Sequence, residues 1–342
     1  MAKVTQISSR KSDHIRINLE ENVSSGLTTG LERFQFIHEA LPEIDMEEID
    51  LNVEVFGKKL RSPLLISSIT GGTKEAHRIN LNLATAAQEK GVAMGVGSQR
   101  AAIEDPSLAE SFQVRVSAPD ILLFANLGAV QLNYGYGVTE CQKAVDMIEA
   151  DGLILHFNPL QEAIQPEGDT KFGNLLSKIE SVCTALSIPV IAKEVGWGFS
   201  GKTAHQLMNA GISAIDVAGA GGTSWTQVEM YRANNERQAN LAKAFIDWGI
   251  PTADSIQMVK DEIPEMIIFA SGGLRTGVDV AKSIALGATL GGLASPFLHA
   301  ANVSSKKVVQ VIEDISNVIK ICMFSTGNKY LEQLTQTGLI KR

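Results

Sequence analysis

Met94-Gly95-Val96-Gly97-Ser98-Gln99-Arg100 closes an apolar run, Val92-Ala93-Met94, with glycines, then sets out a hydroxyl, an amide and a guanidinium in succession. The glycines let backbone approach a ligand closely, and Ser98, Gln99 and Arg100 together suit a phosphorylated small molecule. A single glycine-rich strand end is usually just a turn. Here three more segments repeat the pattern after strand-like runs: Ser67-Ser68-Ile69-Thr70-Gly71-Gly72, Gly219-Ala220-Gly221-Gly222-Thr223 and Ser271-Gly272-Gly273-Leu274-Arg275. Four such segments at strand ends point to one anion-binding face on a barrel.

On either side of these segments, short continuous apolar runs alternate with longer amphipathic stretches. The runs are Leu64-Leu65-Ile66, Val92-Ala93-Met94, Ile121-Leu122-Leu123-Phe124, Leu153-Ile154-Leu155, Val190-Ile191-Ala192, Ala214-Ile215-Asp216-Val217, Ile267-Ile268-Phe269-Ala270 and Leu290-Gly291-Gly292-Leu293. Strands of a parallel sheet buried on both faces read this way. The spacing predicts helices over 76–89, 107–116, 140–150, 175–185, 202–209 and 278–286, with a closing helix over 305–324. Eight such units make an α/β fold, a (β/α)8 TIM barrel. The expectation is one domain over 1–342: an N-terminal arm and extension (1–60), the barrel, and an insertion or lid after strand six (222–264). The stretch 50–56 alternates apolar and polar residues, as a solvent-facing strand does. A doubly wound open sheet would carry one phosphate loop near its first strand, not glycine pairs at strand ends one, two, six and seven.

With 342 residues, 44% of them hydrophobic, the chain can bury a large core. A net charge of −8 argues against a nucleic-acid partner. No apolar run approaches the ~20 residues of a membrane span, and no signal core opens the chain, so a cytoplasmic protein is expected. Cys141, Cys183 and Cys322 have no paired spacing and fall in predicted helices, where they read as packing.

Loops after strands seven and eight often hold a phosphate in barrels, aided by a helix N-terminus. Gly272, Gly273, Leu274 and Arg275, then Ala294 and Ser295, stand at those positions. Lys193 ends strand five and points an ammonium at the barrel mouth, unless it merely pairs with Glu194. After strand four, His156, Asn158, Gln161 and Glu162 bring imidazole, amide and carboxylate groups to one small volume. A lone carboxylate could hold a Mg²⁺ that keeps most of its waters and shares diphosphate oxygens. Equally, Gln161 and Glu162 could begin a solvent-exposed helix. Asn126, before Gly128, is a mouth-facing amide or a turn residue. Arg10, Lys11 and His14 form a basic arm, solvated or folded over an anion. His38, His77, His205 and His299 receive no role.

In these motifs the chain resembles the type 2, flavin-dependent isopentenyl-diphosphate delta-isomerases. The resemblance rests on Arg10-Lys11-Ser12-Asp13-His14, 68–72, 94–100, 156–162, Lys193-Glu194-Val195-Gly196 and 271–275, and runs from Arg10 almost to the C-terminus. It implies a barrel holding FMN, with Mg²⁺ and a reduced flavin needed for turnover and NADPH as priming reductant. The reaction implied is the reversible conversion of isopentenyl diphosphate to dimethylallyl diphosphate. By motif, Ser68, Ile69, Thr70, Ser98, Asn126, Lys193, Thr223, Gly273, Leu274, Arg275, Ala294 and Ser295 would surround FMN. Arg10, Lys11, His14, Ser98, Gln99, Arg100, His156, Asn158 and Gln161 would contact substrate, and Glu162 the metal. Lys193, His156 and Gln161 would form the catalytic set, and a homotetramer or homo-octamer is implied. The rival reading is an FMN-dependent 2-hydroxy-acid oxidase or dehydrogenase, but those enzymes use a histidine after strand six, where this chain has none between Val217 and Trp225. A nucleotide dehydrogenase would want a nucleophilic cysteine near a glycine-rich loop, and a flavin-binding redox sensor would want an appended signalling element.

Overall fold

The computed structural model describes Lys11 and residues 13–342. Eight parallel strands close a barrel: β1 (Leu64–Ile66), β2 (Ala93–Gly95), β3 (Leu123–Gly128), β4 (Gly152–Phe157), β5 (Val190–Glu194), β6 (Ala214–Asp216), β7 (Ile267–Ala270) and β8 (Leu290–Leu293). Neighbours in sequence pair in register, for example Ile154 with Ile191, and closure comes from Leu65 of β1 against Gly292 of β8. Each strand overlaps an apolar run of the sequence. Strands covered by helices outside and side chains inside have no solvent face to mark with polar residues.

The bottom of the barrel is filled from the N-terminal extension. Val53–Val55 and Lys58–Leu60 form an antiparallel hairpin rather than a lone strand. Its two-residue turn places Phe56 (φ 50°) and Gly57 (φ 75°) in the left-handed region, as a type I′ turn requires. A phenylalanine tolerates that conformation because its ring packs edge-on against Phe124 of β3 and Phe269 of β7, with centroids 6.5 and 6.4 Å away. Val55 and Leu60 join Leu65, Phe124, Ile154, Ile191 and Leu290 in the same interior cluster. Farther out, Phe34–Phe36 pairs antiparallel with Leu339–Lys341.

One expected helix is absent. Residues 107–116 form two short 3-10 pieces, Pro106–Ser111 and Arg115–Ser117. Phe112 and Val114 are both fully buried, and residues two apart cannot share an α-helix face. Ser111 also spends its hydroxyl on Leu108 O and on the Gly72 N–H. Within 222–264, the helices Trp225–Arg232 and Glu236–Lys243 are the added elements. Thr252–Glu262 instead packs against Gly201–Asn209 as an outer helix of the barrel. The segment 13–29 is sewn to the start of this insertion: Ser25 N–H donates to Gly222 O at 2.8 Å, and Ser224 N–H donates to Val23 O at 2.8 Å. Ile17, Val23, Val228 and Trp225 make a small apolar cluster between them. Among the described residues, no helix is long and apolar enough to cross a membrane.

Candidate active site

At the C-terminal ends of the strands lies a cavity of about 460 Å³. Its floor is a buried ionic triad. Lys193 Nζ donates to Asp216 Oδ2 at 2.8 Å and to Ser271 Oγ at 3.1 Å, and Ser271 in turn donates to Asp216 Oδ1. Asp216 is wholly enclosed, so its charge is tolerable only because it is paired. Lys193 therefore pairs with Asp216, whereas neighbouring Glu194 turns its Oε2 to the N–H groups of Val195, Gly196 and Trp197. Burial pushes the Glu194 carboxyl up to about 7 despite those donors.

On one side of the floor a polar chain crosses three strands. Asn126 donates to Ser68 Oγ at 2.8 Å and presents its amide oxygen to His156 Nδ1 at 2.7 Å, which makes that ring nitrogen the donor. Opposite lies a glycine-rich cradle of Gly272, Gly273, Leu274, Arg275, Ala294 and Ser295, where the helix Ser295–Val303 begins. Gly273 sits at φ +80°, and a Cβ there would meet Gly221 O at 2.4 Å, so glycine is what lets the loops after β6 and β7 touch. Gly97 does similar work, since a Cβ would strike the Thr70 backbone at 2.6 Å. In the opening motif, that glycine brings two loops together.

A third group faces the rim. Asn158 Nδ2 donates to Glu162 Oε1 at 2.8 Å and to Gln161 Oε1 at 3.2 Å. Gln161 and Glu162 lie on the helix Pro159–Ile164 and are buried, so the exposed-helix alternative does not hold. Gln161 Nε2 donates to Glu229 Oε1 at 3.2 Å. Glu229 also meets His14 Nε2 at 3.4 Å and Arg232 Nη1 at 2.6 Å. Burial pushes the Glu229 carboxyl up, but His14, Arg232 and Gln161 outweigh it and leave it below the ordinary value. Arg100 is held by Glu104 at 2.9 Å and Asp169 at 2.7 Å. Lys11 Nζ donates to Ser98 O at 2.7 Å, over the Phe112 ring.

Nearly all the sequence-derived site residues line this one cavity. Gln99 does not. It is fully buried, its amide NH2 donating to Ala144 O and its oxygen accepting from Asn126 N–H. Arg10 lies outside the described residues. Asp216, Glu229 and Asp169 belong to no motif of the sequence. Asp216 had a visible signal, a carboxylate inside a buried apolar run, which must find a cation. The other two sit in polar loop and helix contexts that look like solvated surface.

The chain's own atoms fit both implied groups. The glycine-lined cradle and Lys193 suit a flavin phosphate and ring. Among the described residues there is no cluster of three His, Cys, Asp or Glu able to cage a metal. Glu162 instead accepts from the amide of Asn158, whose own Oδ1 is a buried oxygen with no hydrogen-bond partner among the described residues. One carboxylate with an unsatisfied amide oxygen suits a largely hydrated Mg²⁺.

Barrel and mouth together define an α/β barrel with a glycine-lined cavity at the C-terminal ends of its strands, the place where barrel enzymes carry their active sites. The FMN-dependent dehydrogenase family matches the sequence over residues 13–117 and 158–341. Isopentenyl-diphosphate delta-isomerases of Nostoc sp. (56% identity, 98% of this chain and 97% of that one) and Synechocystis sp. (54%, 97% and 96%) align nearly end to end. So does that of Rickettsia bellii (52%, 96% of each). Among solved structures, mandelate oxidase with (S)-2-phenylpropionate superposes with a TM-score of 0.67 at 17% identity, covering 98% of this chain and 97% of that one. That likeness concerns the fold alone. The chain belongs to the FMN-dependent, type 2 isopentenyl-diphosphate delta-isomerase family.

Proposed function

We propose that this protein interconverts isopentenyl diphosphate and dimethylallyl diphosphate by a 1,3-proton shift, with FMN on the barrel floor, Mg²⁺ at Glu162 and NADPH as priming reductant. The observation that carries the reading is the division of one cavity into two chemistries. The floor is glycine-lined with a paired lysine, and the rim is lined by Arg100, Asn158, Gln161 and Glu162, with the buried Asn158 Oδ1 left without a hydrogen-bond partner among the described residues.

The shift adds a proton at C4 and removes one from C2, and an unactivated alkene is a very poor base. A reduced flavin bound on the floor supplies a proton carrier beside an electron-rich ring. The chain's own groups do the rest. Lys193, oriented by Asp216 and Ser271, holds positive charge at the floor, while Asn126 fixes His156 with Nδ1 as donor. Arg100 and Lys11 offer charge to the diphosphate, Ser98 and Asn158 offer polar contacts, and Gln161 is held against Glu229 at the reacting end. Trp225 and the segment 13–24 line the cavity on its outer side, placed to limit the access of water to a bound substrate. We further propose a single domain assembled as a homotetramer or homo-octamer.

The test is an anaerobic assay with FMN, Mg²⁺, dithionite and isopentenyl diphosphate. Dimethylallyl diphosphate should form when the flavin is reduced, with no reductant consumed per turnover. Flavin reduction by 2-hydroxy acids with no isomerised product would give the function to the oxidase reading.

A further inference from the structure

The turn Pro166-Glu167-Gly168-Asp169 leaves the Glu162 helix and doubles back onto it. A Cβ at Gly168 would lie 1.7 Å from Glu162 O, so glycine alone lets the turn close that tightly. The fold-back delivers Asp169 to two places at once. Its backbone N–H donates to Glu162 Oε2 at 2.6 Å, and its carboxylate Oδ2 accepts from Arg100 Nη1 at 2.7 Å and Gln131 Nε2 at 3.0 Å. Arg100 also carries Glu104 on its Nε at 2.9 Å. The arginine that faces the cavity is thus already bracketed by two carboxylates, while a third, Glu162, is tied to one of them through the Asp169 N–H.

We propose that Asp169 makes capture of a diphosphate conditional on a divalent cation. This rests on the reading of Arg100 and Glu162 as diphosphate and metal residues. Asp169 takes up the charge of Arg100, so a bare diphosphate approaching that guanidinium meets the neighbouring carboxylates as well. A divalent cation held at Glu162 would offset those carboxylates and leave the Arg100 guanidinium attractive to a diphosphate. Asp169 is a positioning residue acting through Arg100, and the coupling is reciprocal: diphosphate raises cation affinity by the factor that the cation raises diphosphate affinity.

The sign of the effect separates this role from mere support. Asp169→Asn keeps the shape and the N–H to Glu162 but removes one negative charge. Loosening Arg100 would weaken diphosphate binding in every condition, whereas removing a repulsive charge strengthens it only where no cation offsets that charge. The measurement is titration calorimetry of inorganic pyrophosphate into the FMN-loaded protein, with EDTA and then with saturating Mg²⁺. With EDTA, Asp169→Asn should bind pyrophosphate about tenfold more tightly than the parent, the scale of one unit charge at ~6 Å in a partly screened medium. With Mg²⁺ the two proteins should agree to within about twofold, so the Mg²⁺ enhancement shrinks by about the difference. FMN affinity should not change. Asp169→Ser repeats the test should the asparagine variant not accumulate as folded protein.

Unchanged or weaker pyrophosphate binding by either variant in EDTA overturns the inference and leaves the isomerase reading standing. A parent protein that binds no pyrophosphate with or without Mg²⁺ removes the diphosphate reading and the inference with it.

Discussion

Cutting the floor triad should cost more than replacing it. Lys193 and Asp216 meet at 2.8 Å with side chains 9% and 1% exposed. At an effective dielectric of ~20, unit charges at that separation attract by about 6 kcal/mol, a gain largely offset by the desolvation of both ions. Removing one partner leaves the other buried and uncompensated, a loss of about 3–5 kcal/mol. That is a large share of the ~5–15 kcal/mol that holds a folded domain together. Lys193→Met should therefore lose about 3–5 kcal/mol, and Asp216→Asn, which keeps one acceptor for the ammonium, somewhat less. The double variant, with no ion left to strand, should be more stable than the sum of the two losses by roughly 2–3 kcal/mol. The assay is equilibrium urea unfolding of protein stripped of FMN, so that cofactor binding does not mask the change. Costs that simply add, with coupling below ~0.5 kcal/mol, would show that the pair does not act as a unit and would refute the argument.

Lys193→Ala should abolish most turnover while leaving pyrophosphate affinity in Mg²⁺ within about twofold of the parent, by the distance between floor and rim chemistry; parallel losses in both would place Lys193 in substrate binding instead. Glu162→Gln should shift the Mg²⁺ titration of activity to at least about tenfold higher concentration, and an unaltered titration would remove Glu162 from the metal site. The pH dependence of stability should carry a mark of Glu194, whose carboxyl is raised from 4.5 to about 7 by burial. The folded state then holds a proton the unfolded chain has released, so this group's stabilising contribution is complete below about pH 4.5 and lost as pH rises through 7, amounting to about 3 kcal/mol. Glu194→Gln keeps an acceptor for the three N–H groups and should flatten that slope in urea titrations run from pH 5 to 8, whereas an identical slope would assign it to other groups.

The barrel was legible because its strands have one chemistry on both faces. Eight continuous apolar runs separated by amphipathic stretches admit few other folds, and the runs fall within or beside the observed strands. Local patterns failed where tertiary contacts set the outcome. The alternation in 50–56 looked solvent-facing because the hairpin hides only its turn and one side, with Phe56 turned into the barrel. Residues 107–116 have helical composition, yet Phe112 and Val114 must both be interior. Gln99 looks like a ligand contact because its neighbours Ser98 and Arg100 line the cavity, but its amide is bonded to Ala144 O and to the Asn126 N–H, which hold the side chain in the interior. Glu229 and Asp169 were invisible for another reason. Each matters through a partner more than 60 residues away, Gln161 and Arg100 respectively, and spacing cannot report such a pairing.

Phe56 turns the barrel into a vessel with one opening. Its ring, with Val55 and Leu60, stoppers the end opposite the mouth, so whatever reaches the floor travels past the rim. Traffic through a single opening is last in, first out. A molecule held at the rim, beside Arg100 and Glu162, should therefore slow the departure of whatever lies on the floor.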